Sequence, residues 1–245
     1  MNRLFGFVFI VSLCGFAAFS QTGPAPKQAV AEKPIAVSNI SLDIAKAVLA
    51  AHGGEKLKKM TSLVEKGSAD LSFMGQAIPG VFSTAISGDK YYFEINSAVQ
   101  SLKQIYDGRQ TYSSIPGFSL PPLTSLGFPL LVKIGDAGYL IAALGDDKKK
   151  RKGFRMTTPE GFYTDFFVDE KTSQIKGYES RYEVNGGVVT TSVEIDEFQT
   201  VEGLVVPKKY SQRFDLGQVT AYANFKTKVI LVNSPIADDA FTIPR

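Results

Sequence analysis

Residues 161–232 alternate apolar and polar side chains through four successive stretches separated by turn residues, and this rhythm constrains the fold more than any other feature. In 174–185, Tyr178, Tyr182 and Val184 fall on one face, and Glu179, Arg181 and Glu183 on the other. In 188–197, Val189, Thr191, Val193 and Ile195 oppose Glu194 and Asp196. In 204–214, Leu204, Val206, Tyr210 and Phe214 oppose Lys209, Ser211 and Arg213. In 219–231, Val219, Ala221, Ala223, Phe225, Val229 and Leu231 oppose Tyr222, Asn224, Lys226 and Lys228. Successive strand side chains point to opposite faces, so a period of two describes a sheet with one apolar and one wet face. Antiparallel sheets tolerate that arrangement and parallel ones rarely do. Everything earlier in the chain must extend this sheet or cover its apolar face.

The first 20 residues stand apart from that pattern. Arg3 gives a short positive start, residues 4–19 are uncharged and largely apolar, and Ala18-Phe19-Ser20 places small residues where a signal peptidase reads them. This predicts a secretory signal peptide cut between Ser20 and Gln21. A membrane anchor would need roughly 20 apolar residues, more than are present. Acylation at Cys14 would normally require a small residue before it, and Leu13 is not small. Cys14 is the only cysteine, so the processed chain has no disulfide and no thiolate chemistry. Export without disulfides suits a bacterial periplasm or outer surface. Cleavage removes Arg3 and no acid, leaving 26 basic against 24 acidic residues, a balance that predicts no attraction to nucleic acid.

Residues 21–38, rich in Ala, Pro and Lys, read as a flexible leader. Ser41 then reads as an N-cap with Asp43 in the first turn, and Leu42, Ala45, Val48 and Leu49 form an apolar stripe at helical spacing. Gly53-Gly54 ends that helix, and a second covers 55–60 with Leu57 and Met60. Strands follow at 63–73 (Ala69, Leu71 and Phe73 on one face), 78–87, 91–95 (Tyr91, Phe93 and Ile95 aligned), 102–106 and 110–114. Asp107-Gly108 reads as a two-residue hairpin between the last two.

Residues 115–145 combine Pro116, Pro121, Pro122 and Pro129 with a high density of large apolar side chains, among them Phe118, Leu123, Leu126, Phe128, Leu131, Ile134 and Tyr139. The prolines break strands and helix interiors. The segment predicts a loop followed by short helices near 129–135 and 137–144, too broken for a strand and too apolar for water, lying over the apolar face of the sheet. A charged loop at 146–152, a strand at 154–158 and the ladder complete the chain, with Phe241 in the tail plugging a sheet edge or end. No linker follows residue 40, so 39–245 reads as one domain.

No catalytic motif stands out. The single histidine, His52, sits at the end of the first helix, where a cation is favourable. Nucleophilic catalysis needs an activated Ser, Cys or Thr beside a base, and no G-x-S-x-G elbow is present. Asp146-Asp147 and Asp238-Asp239 are adjacent pairs without the further spaced ligands of a calcium loop. Paired carboxylates of the glycosidase kind are defined in space and stay open, although the absence of Trp disfavours a sugar cleft. Lys148, Lys149, Lys150, Arg151 and Lys152 read either as a solvated loop or as a patch for anionic lipid head groups.

The segment Ala47-Val48-Leu49-Ala50-Ala51-His52-Gly53-Gly54-Glu55-Lys56-Leu57, followed by Lys66-Gly67, resembles the opening of the LolA-like, outer-membrane lipoprotein-sorting proteins. Tyr106-Asp107-Gly108 resembles their aromatic-Asp-Gly hairpin. Gly203-Leu204-Val205-Val206-Pro207 and the ending Asn233 through Asp239-Ala240-Phe241-Thr242-Ile243-Pro244 resemble their last strands. Tyr112 stands where many relatives have Trp. The resemblance implies a mainly β fold of the α+β kind: a curved antiparallel sheet forming an incomplete barrel, with short helices over a hydrophobic cavity. It also implies a non-enzymatic, cofactor-free periplasmic binder or carrier of lipid or of acylated lipoprotein. The expected cavity residues are Leu71, Phe73, Phe82, Tyr91, Phe93, Phe118, Leu123, Leu126, Phe128, Leu131, Ile134, Tyr139, Tyr178 and Tyr182. Lys148, Lys149, Lys150 and Arg151 would touch anionic lipid transiently, and the protein would act as a monomer. A packed-core sensor or protein-interaction module on the same scaffold is the alternative, with a carboxylate-dependent hydrolase third.

Overall fold

The computed structural model describes residues 39–73, 75–99, 101–115, 121, 123–145, 151–184, 187–215 and 220–244. Two helices lead the described chain, α1 (Asn39–Ala51) and α2 (Glu55–Lys58). Twelve strands follow: β1 (Ser62–Phe73), β2 (Gln76–Ser87), β3 (Lys90–Ser97), β4 (Ser101–Tyr106), β5 (Thr111–Ser113), β6 (Leu140–Ala142), β7 (Gly153–Thr157), β8 (Tyr163–Val168), β9 (Ile175–Val184), β10 (Gly187–Val201), β11 (Leu204–Asp215) and β12 (Thr220–Val232). They form a single antiparallel sheet in the order β5-β4-β3-β2-β1-β12-β11-β10-β9-β8-β7-β6. The sheet is curled and unclosed, an incomplete barrel with β5 and β6 as its free edges. No helix among the described residues is long and apolar enough to cross a membrane.

The topology dictates the cover. β1–β5 and β6–β12 are two meanders joined through the β1–β12 pair, so β5 and β6 lie at opposite edges. Their connection must therefore cross a face of the sheet, and its apolar side chains direct it across the inner one. Two short 3-10 helices, Leu123–Ser125 and Phe128–Lys133, make that crossing. Phe128, Leu130 and Leu131 pack with Ala45 and Val48 of α1, Leu57 of α2, and Phe154, Phe166 and Leu204 of the sheet. Each such fully buried Phe or Leu contributes on the order of 1.5–3 kcal/mol. Lys58 of α2 secures the crossing by donating from Nζ to the Ile134 carbonyl at 2.9 Å and to Asp136 Oδ1 at 2.5 Å.

Bulges reset the alternation in β9, β10 and β12. In β12 the pairing steps from Lys66–Val229 to Gly67–Thr227, leaving Lys228 as the extra residue. An inserted residue turns the rest of a strand over. Ala223, Phe225 and Thr227 therefore point inward as the alternation requires, but beyond the bulge Val232 is buried while Val229 and Leu231 are 43 % and 44 % exposed on the outside. This corrects the inward placement expected of Val229 and Leu231. A second irregularity lies between Ile195 and Phe198 in β10, and Phe198 packs into the core beneath α1.

Gly67 shows why the first strand carries a glycine at this point. A Cβ there would lie 2.1 Å from the Lys226 carbonyl oxygen and 2.8 Å from Phe82. With no side chain in the way, Phe82 and Phe225 meet edge to face at 5.1 Å across β1. Gly67→Ala should destabilise the fold by about 2 kcal/mol in urea titrations, because the blocking atom is backbone and cannot swing aside; an unchanged midpoint would contradict this packing.

Other sequence expectations shift. Ser41 does not begin a helix: it lies inside α1 and is buried, and Asp43 falls beyond the first turn. Residues 137–144 form no helix, because Leu140–Ala142 pairs with β7 as the edge strand β6. Three apolar residues are too few to reveal whether they pair as a strand or wind as a turn. The β4–β5 loop holds four residues and not two, since Tyr106 pairs with Thr111. Asp107 widens it by accepting the N–H groups of Arg109 and Gln110 on one carboxylate oxygen, at 2.8 and 2.9 Å. Phe241 packs near the β5 edge, in a cluster that includes Tyr112. It lies on the outer face, buried against Ala85 and Ile105.

Candidate binding cavity

A cavity of about 120 Å³ lies between the inner face of the sheet and the crossing segment. Seven neighbouring strands, β3 through β1 and on to β9, contribute to its wall. Phe93, Tyr178, Tyr182 and Phe225 supply aromatic surface, and Leu123, Leu126 and Phe128 roof it from the crossing segment. Tyr210 stacks on Phe225 at 4.8 Å, which turns both rings into a flat wall. The roof is seated closely: Gly127 has φ 66°, and a Cβ there would meet the Tyr178 ring at 2.6 Å. Only glycine combines that backbone conformation with that contact. The Gly127 N–H donates to Thr164 Oγ1 at 3.4 Å, and Thr164 bonds Ser180 Oγ at 2.9 Å, so the roof is also tied to β8 and β9.

The polar content of the wall is small and specific. Gln212 donates from Nε2 to Thr191 Oγ1 at 2.9 Å. Glu65 is the one carboxylate among the described lining residues, which include no Lys, Arg or His. It is half-buried, and its one hydrogen-bond partner among the described residues is Thr84, whose hydroxyl donates to Oε2 at 3.5 Å. Burial in these surroundings pushes its carboxyl up to about 7, and the Thr84 hydroxyl opposes this weakly. Burial, and next the Glu65 charge, push the Tyr178 and Tyr210 hydroxyls up. At neutral pH the phenols of the wall are therefore uncharged.

Below the roof, His52 holds three elements together. It is fully buried, with Phe128 at 5.5 Å and Phe198 at 5.3 Å between ring centroids. Nδ1 lies 2.6 Å from the Val205 carbonyl, and the Ile175 N–H donates to Nε2 at 3.1 Å. These partners require the neutral tautomer with the proton on Nδ1, because an N–H at Nε2 would face another donor. Burial lowers its pKa, and the Val205 hydrogen bond opposes that less strongly. The helix-end cation expected of His52 is thus replaced by a neutral cross-link from α1 to β9 and β11.

The expected cavity residues separate into groups. Phe93, Leu123, Leu126, Phe128, Tyr178 and Tyr182 line the cavity. Leu71 and Phe82 pack with Phe225 in an adjoining cluster. Tyr91 is buried, accepts a hydrogen bond from Gln104 and stacks on Tyr106 at 5.9 Å, and so does not line the cavity. Leu131 and Ile134 belong to the core under α1, with Tyr139 packed against it. Phe73 closes β1, and its side chain lies outside the described part, as do Phe118 and Lys148, Lys149 and Lys150. Arg151 places its guanidinium 3.4 Å over the Phe167 ring on β8. Sequence reasoning missed Glu65, although its parity with Ala69 and Leu71 already placed it on the inner face of β1.

No protein-family model matches the sequence, and no curated protein matches it either. Among solved structures, a LolA superfamily protein from Nitrosomonas europaea superposes with TM-score 0.51 at 12 % identity, covering 83 % of this chain and 97 % of that one. The fold is LolA-like. A DUF1329 family protein from Desulfovibrio piger is also similar, with TM-score 0.49, 10 % identity, and coverage of 83 % and 96 %. A candidate outer membrane lipoprotein-sorting domain from Vibrio parahaemolyticus follows, with TM-score 0.45, 10 % identity, and coverage of 82 % and 96 %. In this LolA-like frame the cavity lies between the curled sheet and its crossing segment.

Proposed function

We propose that this chain is an exported, periplasmic, non-enzymatic binder or carrier of acyl chains, carrying a lipid or the acyl groups of a lipoprotein. The observation that carries the reading is the apolar cavity beneath the crossing segment, with a single carboxyl group among its described lining residues. Every methylene moved there from water contributes ~0.8 kcal/mol, so a site of this kind needs few directed polar groups. At about 120 Å³ the cavity suits a benzene-sized group or a short stretch of chain. A longer chain enters only if the roof formed by Leu123, Leu126 and Phe128 moves, and Gly135 and Gly138, both at φ 85°, supply bends beyond it. Glycosidase-type hydrolysis uses two flanking carboxyl groups, and Glu65 stands without a second one in the described wall. The signal-like residues 1–20 support export, and Lys148, Lys149, Lys150 and Arg151 would meet anionic head groups during exchange.

The neutral dye N-phenyl-1-naphthylamine tests the reading. The native chain should bind it with enhanced fluorescence. Val193→Trp, which fills the cavity from β10, should abolish that binding while keeping the far-ultraviolet circular dichroism of the sheet. Equal binding by both proteins would show that the apolar site lies elsewhere.

A further inference from the structure

Glu65 is the one ionisable carboxyl among the described residues of a wall otherwise built from aromatic and aliphatic groups, Thr84, Thr191 and Gln212. It points inward from β1 between Leu63 and Gly67, and its one hydrogen bond, from Thr84 on β2, is long at 3.5 Å. A carboxyl group offers up to four acceptor sites, or one donor and the remaining acceptors when protonated, so most of this capacity faces the cavity unused. The titratable groups that share the wall are the phenols of Tyr178 and Tyr182 on β9 and Tyr210 on β11. The neighbouring elements present Thr84 and Phe93 from β2 and β3, Val193 from β10, Phe225 from β12, and Leu123, Leu126 and Phe128 from the roof. None of these carries a positive charge. An ionised head group entering here would find no counter-ion among the described lining residues and would add a second negative charge beside Glu65.

We propose that Glu65 is the polar anchor of the cavity, and that it selects amphiphiles whose head is an uncharged hydrogen-bonding group, an ester or amide carbonyl or a hydroxyl, over fatty-acid anions. This rests on the acyl-chain reading above. The protonated carboxyl donates to a carbonyl oxygen of the head, and its carbonyl oxygen accepts from a hydroxyl. Loss of the proton removes the donor and leaves a buried charge, so binding weakens as Glu65 ionises near neutral pH. An ester- or amide-linked acyl chain is thus held, and the corresponding free acid is refused.

Displacement of N-phenyl-1-naphthylamine from the native chain by monolauroylglycerol and by laurate, each below its micellar concentration, tests the proposal at pH 6 and pH 8.5. Monolauroylglycerol should bind about tenfold more weakly at pH 8.5 than at pH 6, and at pH 8.5 should still bind at least about tenfold more tightly than laurate. Glu65→Gln should flatten the pH dependence for monolauroylglycerol and raise the affinity for laurate. A monolauroylglycerol affinity that is the same at both pH values, or laurate bound as tightly at pH 8.5, overturns the anchor role and leaves the carrier reading in place. If neither amphiphile nor the dye binds at either pH, the carrier reading fails, and the anchor role with it. The native profile decides the question even if the Gln variant does not fold.

Discussion

Replacing His52 by leucine should lower the unfolding free energy by about 4 kcal/mol, the largest loss expected from any single polar side chain here. Leucine fills the space between Phe128 and Phe198 but offers nothing to the Val205 carbonyl or the Ile175 N–H. Both backbone groups would be left buried and unpaired, at about 1–3 kcal/mol each. The same geometry fixes a pH dependence. The folded pKa of His52 is depressed below 6.5, so between that lowered value and 6.5 the unfolded chain takes up a proton that the folded chain refuses. Its contribution is complete above pH 6.5 and is lost as the pH falls toward the folded value. Urea titrations from pH 7.5 down to pH 5 should show the native chain losing stability relative to His52→Leu. Equal stability of the two proteins at pH 7.5 would mean that the imidazole does not join α1 to β9 and β11.

Glu65→Gln should have the opposite sign. The carboxyl rises from 4.5 to about 7 on folding, so between those values the folded chain holds a proton that the unfolded chain has released. Each step upward in pH through that window costs stability, none of the cost applies below 4.5, and all of it applies above about 7. The full difference corresponds to roughly 3 kcal/mol. Glutamine has the shape of the protonated acid and cannot ionise. The variant should therefore be more stable than the native chain by up to roughly 3 kcal/mol at pH 8, raising the melting temperature by about 6–12 °C, and should match it at pH 4. A variant less stable than the native chain at pH 8 would place the Glu65 carboxylate in a site that welcomes its charge. The two residues pull stability in opposite directions just below pH 6.5, and each single variant exposes the other's contribution.

Binding groups commonly lower stability where they serve a ligand. Glu65 fits that pattern, because an apolar residue at this position would pack the wall without a desolvation cost. His52 is the contrasting case, a polar residue whose hydrogen bonds are all used inside the protein and which faces no cavity.

Local pattern revealed much of the fold. The period of two in β9 to β12 defined the apolar face, and the apolar stripe of Ala45 and Val48 defined the buried side of α1. The density of large side chains among prolines in 115–145 identified the covering segment before the strand order explained why a connection had to cross there. What escaped was non-local. The bulge at Lys228 depends on how β12 meets Gly67, and nothing in the sequence around Val229 announces that the strand turns over. Leu140–Ala142 becomes a strand only because β7 lies beside it. His52 finds its partners 123 and 153 residues away in sequence. Strand parity placed Glu65 inward, but that Tyr178 and Tyr210 close around it follows only from the curl of the sheet.

The central claim, that the space between sheet and crossing segment receives acyl chains, is tested most directly by native mass spectrometry. The chain would be produced with residues 1–20 in place and purified from the cell envelope without detergent. The account predicts a second mass species carrying a lipid or acyl adduct, absent from Val193→Trp prepared in the same way. A single ligand-free mass for the native chain, or an adduct retained unchanged in Val193→Trp, would contradict it.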